Sequence, residues 1–494
     1  MKKKILFWIT LDLTQFSVAY NLQKNDDFEL YAIIDVPNNA QKFFEEQTLV
    51  NFKQIWFFHD HIKTDKIPDL KYLSTFENKY ELNLWKLAIN ERIFYRFYDF
   101  HKFSRNEILS IIEHACKLFE KVLDIKPNYL ISKDPGFHHL EIFSNMCQKN
   151  GIEVLIPFVP KIGYKTMISR DPNVLDSKEF LNDIKSKQRS FEELRDFIEN
   201  RKTSSQIKNV IDNLAKSRSG FIRSALKYLF SSNKSEKNRY TYFGRTKFKV
   251  ISYMLKTKLE EKSRKKFIDE NFIRSPKKDS SIIYFPMGVD LERNILIGAP
   301  FFTNQIEIIR SVAKSIPINY KLWVKEAPAQ ATRSWRSVQE YKEIMNLPNV
   351  VMIHPETSNK KMLEECSLVV TIAGSSGFEA AFYEKPSIIF SDTIYSKLSC
   401  VSRVSNLEKL PEIIDNALKI KVNSDEIDKF LTLIENNSFE FDWHGFNILQ
   451  TNTFFYDGHL LDTEIDEYTA RKFLKEHDQI VENISNQFMN KIIH

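Results

Sequence analysis

Eleven glycines in 494 residues leave little room for glycine-rich nucleotide loops, and neither G-x-G-x-x-G nor the P-loop lysine motif occurs. The four cysteines (Cys116, Cys147, Cys366, Cys400) are scattered without C-x-x-C spacing. That excludes a zinc ribbon or a disulfide framework and points to a reducing compartment. No run of about 18 apolar residues is present, so no membrane-spanning helix is expected. The opening MKKKILFWITLDLTQF resembles a signal peptide only in its basic start. Its apolar run is broken at Asp12 and no small-residue cleavage site follows, so it reads as the first buried strand of an α/β domain. The expected location is the cytoplasm, at the inner face of the membrane. What the chain has in excess is aromatics, forty Phe and nineteen Tyr, which AT-rich coding explains as readily as function.

The length implies two or more cores. Over residues 1–165, apolar strands (5–10, 28–35, 53–59, 128–134, 152–157) alternate with helical patterns (13–24, 105–123, 139–151). This is the signature of a parallel sheet covered on both faces. Residues 166–280 form a linker or insertion whose second part is strongly basic. Residues 201–280 carry 22 Lys and Arg against seven Asp and Glu, +15 in a chain whose total is only +6. Helical stretches there (207–216, 221–230, 249–262) are broken by polar patches. The strand–helix rhythm resumes over 281–420, and an acidic, largely helical tail occupies 421–494. The fold expected is α/β: two facing Rossmann-like domains with a basic helical insertion and a helical C-terminal tail. Ligands of such folds lie outside the carboxyl ends of the strands.

One stretch gathers small polar residues at such an end. TIAGSSGFEAAFYEKPSIIF (371–390) runs from a strand into Gly374, Ser375, Ser376 and Gly377, then a short helix. Ser376-x-x-Glu379 fits a capping box. The same turn fits a phosphate cradle, with free N–H groups and the positive end of the helix dipole facing an anion. In that case Glu379 is free to accept from a ribose diol. The strand YKLWVKE delivers Lys325 and Glu326 to the same edge, and Arg333 and Arg336 follow. Such cations suit a departing phosphate. Ser391, Asp392 and Tyr395 lie just past the next strand.

The blocks YFPMGVDLERN (284–294), LWVKEAP (322–328), LPNVVMIHPETS (347–358), VVTIAGSSGFEAAFYEKPSIIFSDTIY (369–395) and VSRV (401–404) resemble the capsule polysaccharide biosynthesis family, which includes bacterial Kdo transferases. IPFVPKIGYKTMIS (156–169) is similar to that family's block at the end of the first lobe. The resemblance implies a GT-B fold and a nucleotide-sugar donor, CMP-linked in the Kdo transferases, held mainly by the second lobe. It implies no cofactor, and no metal, since enzymes of this fold stabilise the leaving nucleotide with protein charges and helix dipoles. The donor site then comprises Gly374, Ser375, Ser376, Gly377, Glu379, Lys325 and Asp392. The sequence departs from the family at Gly288 and Ala327, where histidines are usual, and keeps the acidic residue as Glu292.

An inverting transferase needs a base for the acceptor hydroxyl. The candidates are Asp134 and His138, in SKDPGFHH (132–139), and Asp12 after the first strand, each of which also suits a helix start. FHDHI (58–62) reads as an ordinary loop because a third metal ligand is missing. The implied partners are a nucleotide-sugar and a polysaccharide or lipid-linked glycan acceptor. The basic segment 201–280 suits an anionic membrane surface or a solvated helical linker; no nucleic-acid motif is present. Two further enzyme readings share the layout, a UDP-sugar epimerase and a glycerophosphate-polymer transferase. A non-enzymatic reading, a degenerate nucleotide- or glycan-binding scaffold, stays open because of the two missing histidines.

Overall fold

Every apolar run read as a strand pairs in one of two sheets. The computed structural model describes residues 2–95, 100–177, 181–200, 218–230, 235–276 and 281–493. The helix expected over 207–216 lies outside them. The first sheet contains β1 (Lys3–Ile9), β2 (Phe28–Ile34), β3 (Gln54–Phe57), β4 (Tyr129–Ile131), β5 (Glu153–Phe158), β6 (Lys165–Ser169) and the two-residue β13 (Phe439–Glu440), in the order β13-β6-β5-β4-β1-β2-β3. The second contains β7 (Ser281–Pro286), β8 (Tyr320–Lys325), β9 (Val350–Ile353), β10 (Leu368–Thr371), β11 (Ser387–Ile389) and β12 (Val401–Arg403), in the order β12-β11-β10-β7-β8-β9. All pairings in the second sheet are parallel, whereas β6 and β13 join the first antiparallel. This is the two-lobed α/β layout expected from the sequence.

Alternation explains why these runs fold this way. Ile5, Phe7 and Ile9 face one apolar core and Leu6 and Trp8 the other. In the second lobe Ile283 and Phe285 oppose Ile282 and Tyr284 in the same manner. Strands covered on both faces must be apolar at every position, hence the unbroken runs.

Eight helices matter below: α1 (Thr14–Leu22), α2 (His138–Lys149), α3 (Arg218–Phe230), α4 (Lys247–Asn271), α5 (Ser376–Phe382), α6 (Ser424–Asn436), α7 (Trp443–Phe454) and α8 (Asp478–Ile493). The C-terminal residues divide between the lobes. Ile427, Phe430, Leu431 and Ile434 of α6 join the core that holds Phe378 and Tyr395. Phe446 and Phe454 of α7, and Val481, Ile484 and Phe488 of α8, join the first-lobe core with Phe7 and Phe16. The linker is divided as well. Strand β6 straddles residue 165 and belongs to the first sheet, while Leu194 and Ile198 pack in the second lobe.

In each sheet the strand order reverses once, between β1 and β4 in the first lobe and between β7 and β10 in the second. Crevices outside the carboxyl ends of strands at such points are where ligands of open α/β sheets bind.

Candidate active site

Strands β7, β8 and β10 deliver their carboxyl ends to one cavity of about 760 Å³. Its wall includes Pro286 and Met287 after β7, Lys325 to Pro328 after β8, and Ser375, Ser376 and Glu379 after β10. Lys161, from the loop between β5 and β6, closes it from the first lobe. The residues that the sequence set apart at 325 and 375–379 therefore meet at the switch point.

Lys325 is the buried cation of this cavity, and it lacks a partner. Its side chain is 6% exposed and has no hydrogen bond or ion pair among the described residues. Burial pulls its pKa down to about 8, with the negative charge of Glu379 opposing. A buried, unpaired ammonium costs stability unless an anion arrives.

The turn itself differs from the capping box expected. Helix α5 opens at Ser376 with Ser375 as its N-cap, and no side chain caps it. Ser375 instead donates its hydroxyl to Glu379 Oε1 at 3.1 Å. Asn359, held by the Tyr284 hydroxyl at 2.7 Å, donates to Glu379 Oε2 at 2.9 Å. Glu379 is thus already engaged at both oxygens, not free as expected. The two glycines serve close packing. A Cβ on Gly374 would lie 2.6 Å from the Thr371 hydroxyl, and one on Gly377 would lie 2.7 Å from the Tyr395 hydroxyl. That hydroxyl donates to the Gly374 carbonyl at 2.5 Å and pins the turn.

Asp392 lies on the other side of Ser375, against a smaller cavity of about 80 Å³ that Lys161 also lines. It pairs with Arg403 at 2.8 Å and stays open to solvent. Of the donor residues read from the sequence, Lys325, Ser376 and Glu379 line the larger cavity, Asp392 the smaller and Ser375 both, while Gly374 and Gly377 line neither.

Of the expected cationic loop, Arg333 lines a separate cavity beside Leu291, and Arg336 is spent elsewhere. Arg336 is buried, donating to Glu326 at 2.8 Å and to the Gly288 carbonyl at 2.8 Å, and it pairs with Asp290. Tyr341 completes the group by donating to Glu326 at 3.0 Å. Gln305 brackets Gly288 from the other side, accepting from its N–H and donating to its carbonyl. Gly288 is enclosed: a Cβ there would sit 2.9 Å from Ile295 Cδ1. Ala327, in contrast, lies on the wall of the larger cavity.

In the first lobe the candidates separate. Asp12 follows β1 but accepts from the N–H and hydroxyl of Thr14, at 3.1 and 2.6 Å, opening α1. His138 does not face the cleft. It starts α2, fully buried, with its backbone N–H and its Nδ1 both on Glu91 Oε2, at 2.8 and 2.9 Å. Asp134 stays at the junction of the lobes, 3.2 Å from Arg293. The facing atoms form no aligned hydrogen bond. Burial pushes the Asp134 carboxyl up, with Arg293 opposing.

Three neighbours of that junction were not among the site residues chosen from the sequence. Arg293 also holds Asn173 at 2.7 Å. Arg92 donates to the Leu291 carbonyl at 3.1 Å and stacks on Phe137 at 4.2 Å. Lys161, with Arg333 and Arg92, opposes the burial that raises Glu292. Lys161 and Arg293 follow strand ends, a signal many solvated cations share, and Arg92 starts a short helix with no such signal. His354, in the His-Pro pair of the third block, is also buried. It contacts Asp269 at 3.0 Å and accepts from the Glu356 N–H, so it shapes the turn that lines the cavity without entering it. Of FHDHI, His59 is taken up by Asp35 and Asp60 by Arg239.

Residues 197–409 match the model of a family described as capsule polysaccharide biosynthesis protein, the family that the motifs between 284 and 404 resemble. No curated protein matches. Among solved structures, the chain is similar to the UDP-GlcNAc 2-epimerase of Methanocaldococcus jannaschii, with 14% identity, 88% of this chain and 99% of that one covered, and a TM-score of 0.26. It is also similar to two KpsC structures from Thermosulfurimonas dismutans. The β-Kdo 2,7 transferase has 15% identity, coverage of 71% and 87%, and a TM-score of 0.29. The β-Kdo 2,4 transferase has 11% identity, coverage of 62% and 79%, and a TM-score of 0.30.

Proposed function

We propose that this protein is a glycosyltransferase that moves a sugar from a nucleotide-activated donor to a capsule-type polysaccharide or glycolipid acceptor. The observation that carries the reading is Lys325, a buried cation without a partner, aimed into a switch-point cavity that it shares with Ser375 and Ser376. A donor phosphate entering there restores the missing counter-charge in a low-dielectric wall, where the interaction is strongest. The N–H groups and hydroxyls at the start of α5 add donors, while Glu379 acts by holding Ser375 and Asn359 in place. The leaving nucleotide is stabilised by these protein charges without a metal.

Asp134 is the favoured acceptor base. Its raised pKa and its unaligned contact with Arg293 leave it able to take a proton. Glu292, raised in the same junction, is the alternative carboxylate. The acceptor approaches from the first lobe, and a lipid-linked glycan at the cytoplasmic face of the membrane is the acceptor class that fits the reading. A non-catalytic nucleotide-binding scaffold is favoured by one observation: Asp12 and His138 are both consumed by local structure.

Thermal melting with CMP-, UDP-, GDP- and CDP-linked donors tests the proposal. One nucleotide class is expected to raise the melting temperature of the wild type and not of Lys325→Met. Transfer or donor hydrolysis lost in Asp134→Asn then supports the enzyme over the scaffold. No stabilisation by any nucleotide would overturn the donor site.

A further inference from the structure

Helices α3 and α4 leave apolar stripes that no described part of the chain covers. On α4, Phe248, Ile251, Leu255 and Leu259 follow one another at three- and four-residue spacing, so they share a face. Phe248 is 81% exposed and Leu259 72%. On α3, Ile222, Leu226, Leu229 and Phe230 are exposed in the same way. Between the helices lies a groove of about 560 Å³, lined by Phe221, Ala225 and Leu229 of α3 and Val250, Met254 and Leu255 of α4. Its far wall, Leu460 to Asp462, is tied to the carboxyl edge of the first sheet, since the Asn39 N–H donates to Asp462 at 3.1 Å.

Exposed apolar side chains at this density mark a contact surface, and the charges around them select the partner. Arg223 and Lys227 on α3, and Lys247, Lys249, Lys256, Lys258 and Lys262 on α4, interleave with the stripes. No acidic residue occurs from 218 to 230 or from 247 to 259; Glu260 and Glu261 follow ahead of Lys262, and Glu260 is engaged by Arg264. A second copy of the chain would bring the same positive charge against it, which disfavours self-association. The positive charge also selects against a neutral or basic protein face.

We propose that α3 and α4 form a docking surface for an anionic phospholipid bilayer, the apolar stripes entering the headgroup boundary and the lysines resting on the lipid phosphates. Docking there sets the groove and the acceptor edge of the first lobe against the membrane. The surface is independent of the donor cavity, so the two can fail separately.

Co-sedimentation of the full chain with phosphatidylcholine vesicles, with and without phosphatidylglycerol, tests this. Binding is expected only with the anionic lipid and is expected to weaken as salt rises. The double variant Phe248→Glu with Leu259→Glu changes two exposed positions, so it should keep its circular dichroism and its nucleotide response while losing vesicle binding by about tenfold or more. Lys258→Glu should weaken binding several-fold by charge alone. Equal binding to neutral vesicles, or unchanged binding by the folded double variant, would overturn the proposal. So would a wild-type dimer that the double variant disperses, since that assigns the face to a second copy.

Discussion

Lys325 carries the sharpest expectation at the scale of single residues. Its ammonium is buried without a partner, so Lys325→Met should keep the fold and raise stability at neutral pH by roughly 1–3 kcal/mol, while abolishing stabilisation by nucleotide. The pH dependence follows from the depressed pKa. Between about 8 and the ordinary 10.5 the unfolded chain holds the proton and the folded chain does not, so stability rises with pH through that window. Below about 8 the burial penalty is fully present. Urea titrations of both proteins at pH 7 and pH 10 check this: the gap between them should narrow at the higher pH. Nucleotide affinity should move the opposite way, falling above pH 8 as the ammonium is lost. The lysine was legible in the sequence because a strand of known direction fixes where its last residue goes. The engagement of Glu379 was not. Asn359 lies twenty residues away, and no local pattern brings its amide to that carboxylate.

At the scale of elements, the loop after β7 is stitched by Gln305 and Arg336, and this decides what the two missing family histidines mean. Gly288→His must displace Ile295 and disturb the Gln305 bracket, so a loss of about 1–3 kcal/mol in urea unfolding is expected, with no gain in donor binding. Ala327→His places a ring on the wall of the donor cavity and should be tolerated, raising nucleotide affinity or donor hydrolysis measured by thermal shift and product release. Arg336→Ala is the contrast. It strands Glu326 and Asp290, and should cost about 3–5 kcal/mol because two carboxylates lose their common partner. From the sequence, Arg336 looked like a phosphate cation at the ligand edge. The structure instead buries it outside the donor cavity, which depends on Glu326 turning inward, and periodicity does not reveal that. Strands were easier. Runs such as ILFWI and LVV are apolar at every position because both faces are covered, whereas β13 is two residues long and leaves no such trace.

At the scale of the whole molecule, the first lobe is completed by the last residues of the chain. Lys3 and the Tyr129 hydroxyl both donate to the Ile492 carbonyl, at 2.7 and 3.0 Å, and Phe488 is buried against the α1 side of the first sheet. A tail legible as helical could not be assigned to a lobe from sequence, because its apolar face fits any complementary core. The assignment has a thermodynamic consequence. Phe488→Ala should cost about 3–5 kcal/mol, and the whole cost should fall on the first lobe. Calorimetry with and without the stabilising nucleotide separates the lobes: the variant should lower a first-lobe transition, while the nucleotide raises a second-lobe transition whose size of shift is unchanged. The lobes are also tied by Arg293 to Asp134 and by Asn90 to the carbonyls of Leu296 and Pro300. If those ties couple unfolding into one event, Phe488→Ala will lower the single transition. Adding Arg293→Ala should then split it, because only the second lobe retains the nucleotide that holds it.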